Sequence, residues 1–269
     1  MSEAHRHRAQ GRSYRIPEAQ QLTRFKDHFS GHAASYAQAR PLYPRALFEW
    51  LALEAPARDL AWDAGCGNGQ AAVALAQDFA SVHATDPSAA QVDAATPHPR
   101  VRYAVEPGES CTLTDHGVDL VTVAQALHWF DFERHFAEAR RVLRPDGLYA
   151  AWSYGLMRID PAVDPVLAHF EHAVVGPYWP PERRYVDAGY RDIPFPLAPL
   201  AAPAFAMRHD WNLSQVLGYL ETWSAVQRYR AARDTDPMPA LAAALTPAWG
   251  DPLQPRSVEW PLIVLAGRL

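Results

Sequence analysis

Lysine and cysteine are almost missing from this chain. Lys26 is the single lysine, and arginine carries the rest of the positive charge, a bias from which no function follows. Cys66 and Cys111 are the only cysteines, too few for a disulfide framework or a metal cluster. That usage fits a reducing, cytoplasmic compartment. No run approaches the ~20 apolar residues that a membrane helix needs, and residues 1–24 are too polar for a signal peptide. The net charge of −5 excludes a nucleic-acid-binding surface spread over the whole molecule. The expectations are therefore no metal, no membrane and no nucleic-acid partner, with the oligomeric state left open. His5 and His7 read as part of a flexible tail over residues 1–24 rather than as metal ligands.

What the chain has is apolar mass. Hydrophobic residues make up 49% of 269, enough for a large core without covalent staples. Prolines crowd the stretch 177–203, which predicts irregular chain there. Upstream, "DLAWDAGCG", "SVHATD", "VRYAVEP", "VDLVTVAQA" and "LYAAWSY" read as strands, with "VDLVTVAQA" apolar enough to be buried on both faces. Between them, "QAAVALAQDFA", "SAAQVDAA" and "FERHFAEARRVL" read as helices, the second opened by a capping Ser88. In the third, Phe132, Phe136, Ala139 and Leu143 form the apolar side, and His135 and Arg140 are assigned to its solvated face. The alternation predicts an α/β fold with a largely parallel sheet. It stops after Tyr154 and resumes with a strand "FAMRHDW", one helix "LSQVLGYLETWSAVQRYR" and a last strand "VEWPLIVLAG". Residues 156–200 therefore read as a cap inserted before the final elements of the same sheet.

The stretch "AWDAGCGNGQ" at 61–70 sets three glycines at alternate positions behind Asp63. A strand, a glycine turn and a helix place a ligand site at the carboxyl end of the sheet, where bare backbone and free helix amides meet. Two cofactor classes compete. Gly67, Gly69 and Ala72 satisfy the spacing of a nicotinamide-binding turn, and Asp86 sits where the ribose-binding acid of either class would lie. Asp63 weighs against a dinucleotide, because a carboxylate there repels a pyrophosphate. It suits a cationic ligand, or one that donates hydrogen bonds.

"AWDAGCGNGQ", "HATDPS", "VDLVTVAQALHWFD" and "RRVLRPDGLYAAW", in that order, resemble the class I S-adenosylmethionine-dependent methyltransferases. "FSGHAASYAQARPLYP", "GPYWPPERR" and "YLETWSAV" extend the likeness over residues 25–269, toward the branch that includes trans-aconitate methyltransferase. The resemblance implies a Rossmann-like, doubly wound sheet of seven mostly parallel strands, the last antiparallel, with a helical and irregular cap. It implies S-adenosyl-L-methionine as cofactor and a small-molecule acceptor. By the same resemblance Asp63 engages the ammonium, and Gly65, Gly67 and Gly69 form the loop beneath the cofactor. Asp86 takes both ribose hydroxyls, Glu109 and Ser110 of "PGES" read adenine through the backbone, and Gln125 and Ala126 lie beside the sulfonium. Tyr36 and Arg40 cover the cofactor. Asp146 departs from the family's usual "PGG" turn, and Trp62 stands where a smaller aliphatic residue is common.

Methyl transfer from a sulfonium is an in-line displacement that needs alignment above all, and positioning of this kind supplies ~7–11 kcal/mol. A carboxylate acceptor needs no base; a hydroxyl acceptor needs one, and His128 is the candidate, against a reading of it as a packed histidine beside Trp129. Trp129, Tyr178 and Trp179 are candidates to line the substrate site, and Arg183 and Arg184 to clamp an acidic substrate; packing and a solvated basic turn are the rival readings. Cys66 reads as a small filler of the loop. Two rival functions stand beside the transferase: a nicotinamide-dependent oxidoreductase, and a cofactor-binding scaffold without catalysis.

Overall fold

The computed structural model describes residues 41–269, so Tyr36 and Arg40 lie outside the described residues. After α1 (Arg45–Glu54) the chain alternates: β1 (Leu60–Ala64), α2 (Gln70–Leu75), β2 (Ser81–Asp86), α3 (Ala89–Asp93), β3 (Val101–Val105), β4 (Val118–Ala124), α4 (Phe132–Val142) and β5 (Leu143–Tyr154). Then come α5 (Asp164–His169), a π-helical turn (Phe170–Val174), α6 (Arg183–Asp187), β6 (Ala198–Leu200) and β7 (Ala206–Trp211). Helices α7 (Leu213–Glu221), α8 (Ser224–Ala232) and α9 (Met238–Trp249) lead to β8 (Arg256–Arg268). Among the described residues no helix is long and apolar enough to cross a membrane.

The strands lie in the order 3-2-1-4-5-8-6. β1 to β5 pair in parallel, and β8 runs antiparallel to β5, β6 and β7. This is the expected Rossmann-like sheet with a reversed last strand. The difference is an eighth strand. β8 is longer than its neighbours: residues 262–268 pair with β5, and residues 256–261 run on beyond it and pair with β7. Strand order reverses between β1 and β4, so the carboxyl ends of those two strands open a crevice.

The sheet is covered on both faces, which is why β4 is a nearly continuous apolar run. On one face α1 and α2 bring Leu47, Phe48, Leu51 and Leu75 against Ala61, Leu120 and Trp152. On the other, α4 and the chain around α6 bring Phe136, Val186, Tyr190 and Leu197 against Trp62, Val121 and Tyr149. A third core stands off the sheet's edge and joins Phe170, Trp223, Leu245, Trp249 and Trp260. The stretch 156–200 is thus divided: its first part packs into this third core with α7 to α9, and its second part packs on the sheet. The helix expected over 213–230 breaks in two, where Trp223 is extended (ψ 132°) and its ring joins the third core.

At the opposite end of the sheet, Asp119 is fully buried at the start of β4. Its Oδ2 accepts the amides of Asp59 (2.8 Å) and Leu60 (2.9 Å), and Arg144 Nη1 lies 2.6 Å from Oδ1. Asp119→Ala leaves two amides without their acceptor and removes the buried carboxylate that faces the Arg144 guanidinium. We expect a loss of about 3 kcal/mol in unfolding free energy, read as a lowered urea midpoint at unchanged slope.

Candidate functional site

Left-handed backbone at Gly65, Gly67 and Gly69 builds the turn that floors the crevice. Gly65 has φ 70° and Gly69 φ 83°, a region that costs a side-chain-bearing residue. Space is as restrictive as torsion. A Cβ on Gly65 would sit 2.6 Å from Ala126 Cβ, and one on Gly69 would overlap the Tyr103 hydroxyl. The turn is held from below, because Gly65 N and Cys66 N both donate to Thr85 O (2.7 and 2.9 Å). α2 starts at the next residue, so its first amides face the same crevice.

Two carboxylates flank the turn. Asp63 is the penultimate residue of β1, with no exposure at all. Its Oδ1 accepts the Thr122 hydroxyl at 2.9 Å; its Oδ2 is buried and accepts no hydrogen bond, although the Ala72 amide at the start of α2 lies close enough to favour the charged form. Burial dominates, with the charge of Asp86 adding to it, and Asp63 is pushed up from 3.8 to about 7. Asp86 ends β2 and organises the turn: Oδ2 accepts Gly67 N and Oδ1 accepts Ser88 N, both at 2.9 Å. These two bonds fix the orientation of its carboxylate.

A third wall follows β4. Gln125 takes a left-handed backbone (φ 56°), its amide donates to Trp152 O, and the 3-10 turn Leu127–Trp129 follows. The Phe130 ring then fills the space a Cβ would need at both Gly65 (3.0 Å) and Gly108 (2.5 Å). It thereby spaces the glycine turn from the loop after β3. A buried carboxylate with a vacant acceptor, bare glycine backbone and a second carboxylate one strand away suit a ligand carrying both a cation and a diol. They do not suit a pyrophosphate.

Residues 62–151 match a methyltransferase-domain family. A Dictyostelium discoideum protein named as a methyltransferase is 34% identical over 231 residues, which is 84% of this chain and 88% of that protein. The chain belongs to the class I S-adenosylmethionine-dependent methyltransferases. A solved structure of an Anaeromyxobacter dehalogenans protein named as a type II methyltransferase matches this methyltransferase with TM-score 0.81 and 50% identity, over 85% of this chain and 97% of that one. A Saccharomyces cerevisiae protein, CRG1, named as an S-adenosylmethionine-dependent methyltransferase, is 33% identical over 131 residues, 45% of each chain. S-Adenosylmethionine is thus the cofactor, and the buried vacant oxygen of Asp63 with the glycine cradle fits it. The nicotinamide and non-catalytic alternatives fall away.

The sequence-predicted residues of this methyltransferase divide into two groups. Asp63, Gly65, Gly67, Gly69 and Asp86 meet at the turn, with Ala126 against Gly65. Glu109 lies in the loop after β3, but its carboxylate accepts Asp131 N (2.9 Å) at the start of α4; Ser110 N reaches Pro107 O. His128 is buried, its Nδ1 is 3.1 Å from the Tyr190 hydroxyl, and its ring lies 4.9 Å from that of Trp129. Burial, aided by Arg183, lowers its pKa to about 3. Arg183 donates to Glu171 (2.6 Å) and Asp187 (2.8 Å) and stacks on Trp179 at 4.4 Å; Arg184 bonds and stacks on Tyr185. Both arginines expected as substrate clamps therefore hold partners within the protein. Tyr178 accepts Arg233 Nε (2.7 Å), and Trp179 packs on Trp223 in the third core.

Sequence reasoning passed over Phe130, Thr122 and Tyr103, and it misplaced one residue. His135, assigned to a solvated helix face, is fully buried. The physical reason is that the buried stripe of α4 comprises His135, Phe136, Ala139 and Val142, wider by one row than the apolar residues alone indicate.

Proposed function

We propose that this methyltransferase methylates a carboxylate oxygen of a small acceptor that enters above the carboxyl ends of β4 and β5. The observation that carries the reading is the state of His128. With its Nδ1 engaged by Tyr190 and its pKa lowered to about 3, it is a poor acceptor for a hydroxyl proton at neutral pH. An acceptor that arrives already ionised needs no such group. The resemblance of "FSGHAASYAQARPLYP" and "GPYWPPERR" to the trans-aconitate methyltransferase branch supports the same acceptor class.

The bound cofactor supplies a methyl group already activated on a sulfonium. The chain's part is positioning. Asp63 holds the ammonium, Asp86 the ribose diol, and the loop at Glu109 and Ser110 the adenine, while Gln125 and Ala126 border the reacting end. Trp129 and Trp179 bound the acceptor's space; His128 braces the wall through Tyr190 and moves no proton. The third core, with Tyr178, forms the cap, and Tyr36 and Arg40 complete the cofactor's cover. Transfer from a sulfonium to an anion neutralises charge, so a site with few free charges favours it.

The test is transfer of a tritiated methyl group to panels of small carboxylic acids and of alcohols and phenols, followed by mild alkali. Methyl esters release the label as volatile methanol. Label that appears only in alkali-stable products would end the carboxylate reading.

A further inference from the structure

The loop after β3 lies along α4, fastened at regular intervals. Asp131 N donates to Glu109 Oε1 (2.9 Å), His135 Nδ1 meets Gly108 O (2.6 Å), and Glu138 Oε1 accepts Cys111 N (2.7 Å). Positions 131, 135 and 138 are spaced i, i+4 and i+7, so they share one helix face. The three fastenings take Glu109, Gly108 and Cys111, all within one four-residue stretch of the loop.

The middle one is buried and directional. Gly108 O only accepts, so His135 Nδ1 carries the hydrogen. His135 is fully buried, and burial lowers its pKa to about 4, so the ring is neutral at neutral pH. Its Nε2 is then an acceptor, and the Tyr149 hydroxyl, 2.9 Å away on β5, donates to it. Chemistry thus fixes one tautomer and one direction: Tyr149 O–H to His135 Nε2, His135 Nδ1–H to Gly108 O. Phe130, 4.7 Å from the His135 ring, presses on Gly108 from the glycine-turn side. Phe136 and Phe195 pack around Tyr149, so the far end of the relay is anchored in the core.

We infer that His135, oriented by Tyr149, is a positioning residue that fixes the backbone of the Gly108–Ser110 loop for recognition of the cofactor's adenine. This deepens the proposed reading of that loop and rests on it. His135 touches neither cofactor nor acceptor; it acts through Gly108.

The test compares S-adenosylhomocysteine with S-ribosylhomocysteine, which lacks the adenine, by calorimetry on the full chain. Wild type is expected to bind the adenine-bearing ligand far more tightly. Equal affinities in wild type would refute the adenine reading of the loop, and the inference with it. Given that preference, His135→Leu is expected to weaken S-adenosylhomocysteine about tenfold and to leave S-ribosylhomocysteine unchanged. His135→Asn keeps a donor toward Gly108 O and is expected to restore most of the preference. Tyr149→Phe keeps the packing and is expected to lose about threefold, which preserves the test if the leucine variant does not fold. An unchanged preference in folded His135→Leu or Tyr149→Phe, or equal weakening of both ligands, overturns the inference and leaves the reading of the loop intact.

Discussion

Asp63→Asn is expected to make the ligand-free enzyme more stable at pH 8 while weakening S-adenosylmethionine by one to two orders of magnitude. The two effects share a cause. Asp63 is fully buried, with one oxygen held by Thr122 and the other without a hydrogen bond, and its pKa rises from 3.8 to about 7. A folded-state pKa above the unfolded value means that the folded protein prefers the protonated acid. The associated stability is fully present below pH 3.8 and is lost as pH rises through about 7. Asparagine carries no charge and escapes that loss, so its melting temperature exceeds that of wild type at pH 8, with the gap closing toward pH 4. A hydrogen bond to a charged group is worth about 1.5–3 kcal/mol, and the proposed ammonium contact disappears in the variant. Because the contact needs the carboxylate, wild-type affinity should fall as pH drops below about 7, while the variant's weak affinity stays flat over the same range. A wild-type affinity independent of pH from 5.5 to 8, or an asparagine variant that binds as tightly, would remove Asp63 from the cofactor site.

Asp86→Ala should cost at least tens of fold in cofactor affinity, and for more than one reason. The carboxylate accepts Gly67 N and Ser88 N at 2.9 Å, so it shapes the turn as well as facing the crevice. The alanine variant loses the proposed ribose contact and leaves two amides without their acceptor. A paired ligand comparison separates these losses. Wild type should discriminate S-adenosylhomocysteine from its 2′-deoxy analogue, and Asp86→Ala should bind the two alike. If the variant still tells them apart by the wild-type factor, Asp86 shapes the loop without reading the sugar. Asp86→Asn should fall between, since one oxygen survives to hold an amide.

The turn was legible because its requirements are local. Gly65 and Gly69 occur where the backbone is left-handed and where a Cβ has no room, and both conditions appear in the sequence as glycine. The strands were legible because burial on both faces demands apolar runs such as "VDLVTVA". The helix α9 went unread because Pro239 and Pro247 mimic loop punctuation; the first sits in the opening turn, where an amide hydrogen is dispensable, and the second lies within the helix, which runs on to Trp249. The "RPDG" turn is a bulge: Val118 pairs with Leu143 and Leu120 with Leu148, so residues 144–147 loop out of β5, with Asp146 at φ 62°. Arg183 read as a candidate anion clamp because a guanidinium matches carboxylate geometry; the partners that occupy it, Glu171 and Asp187, lie 12 and 4 residues away.

By itself the sequence determined the alternation of strands and helices and the glycine turn with its two acids, while the class of cofactor came from the resemblance of its motifs to a known family. The elements and the turn follow from periodicity and from φ, each set by residues close together in the chain. Only the tertiary structure decided which polar side chains are free to act. His128 is turned toward Tyr190, 62 residues away, and His135 is enclosed between Gly108 and Tyr149, 27 and 14 residues away. A side chain's basicity and its hydrogen-bond partners depend on what the fold packs around it, and those neighbours come from distant parts of the chain.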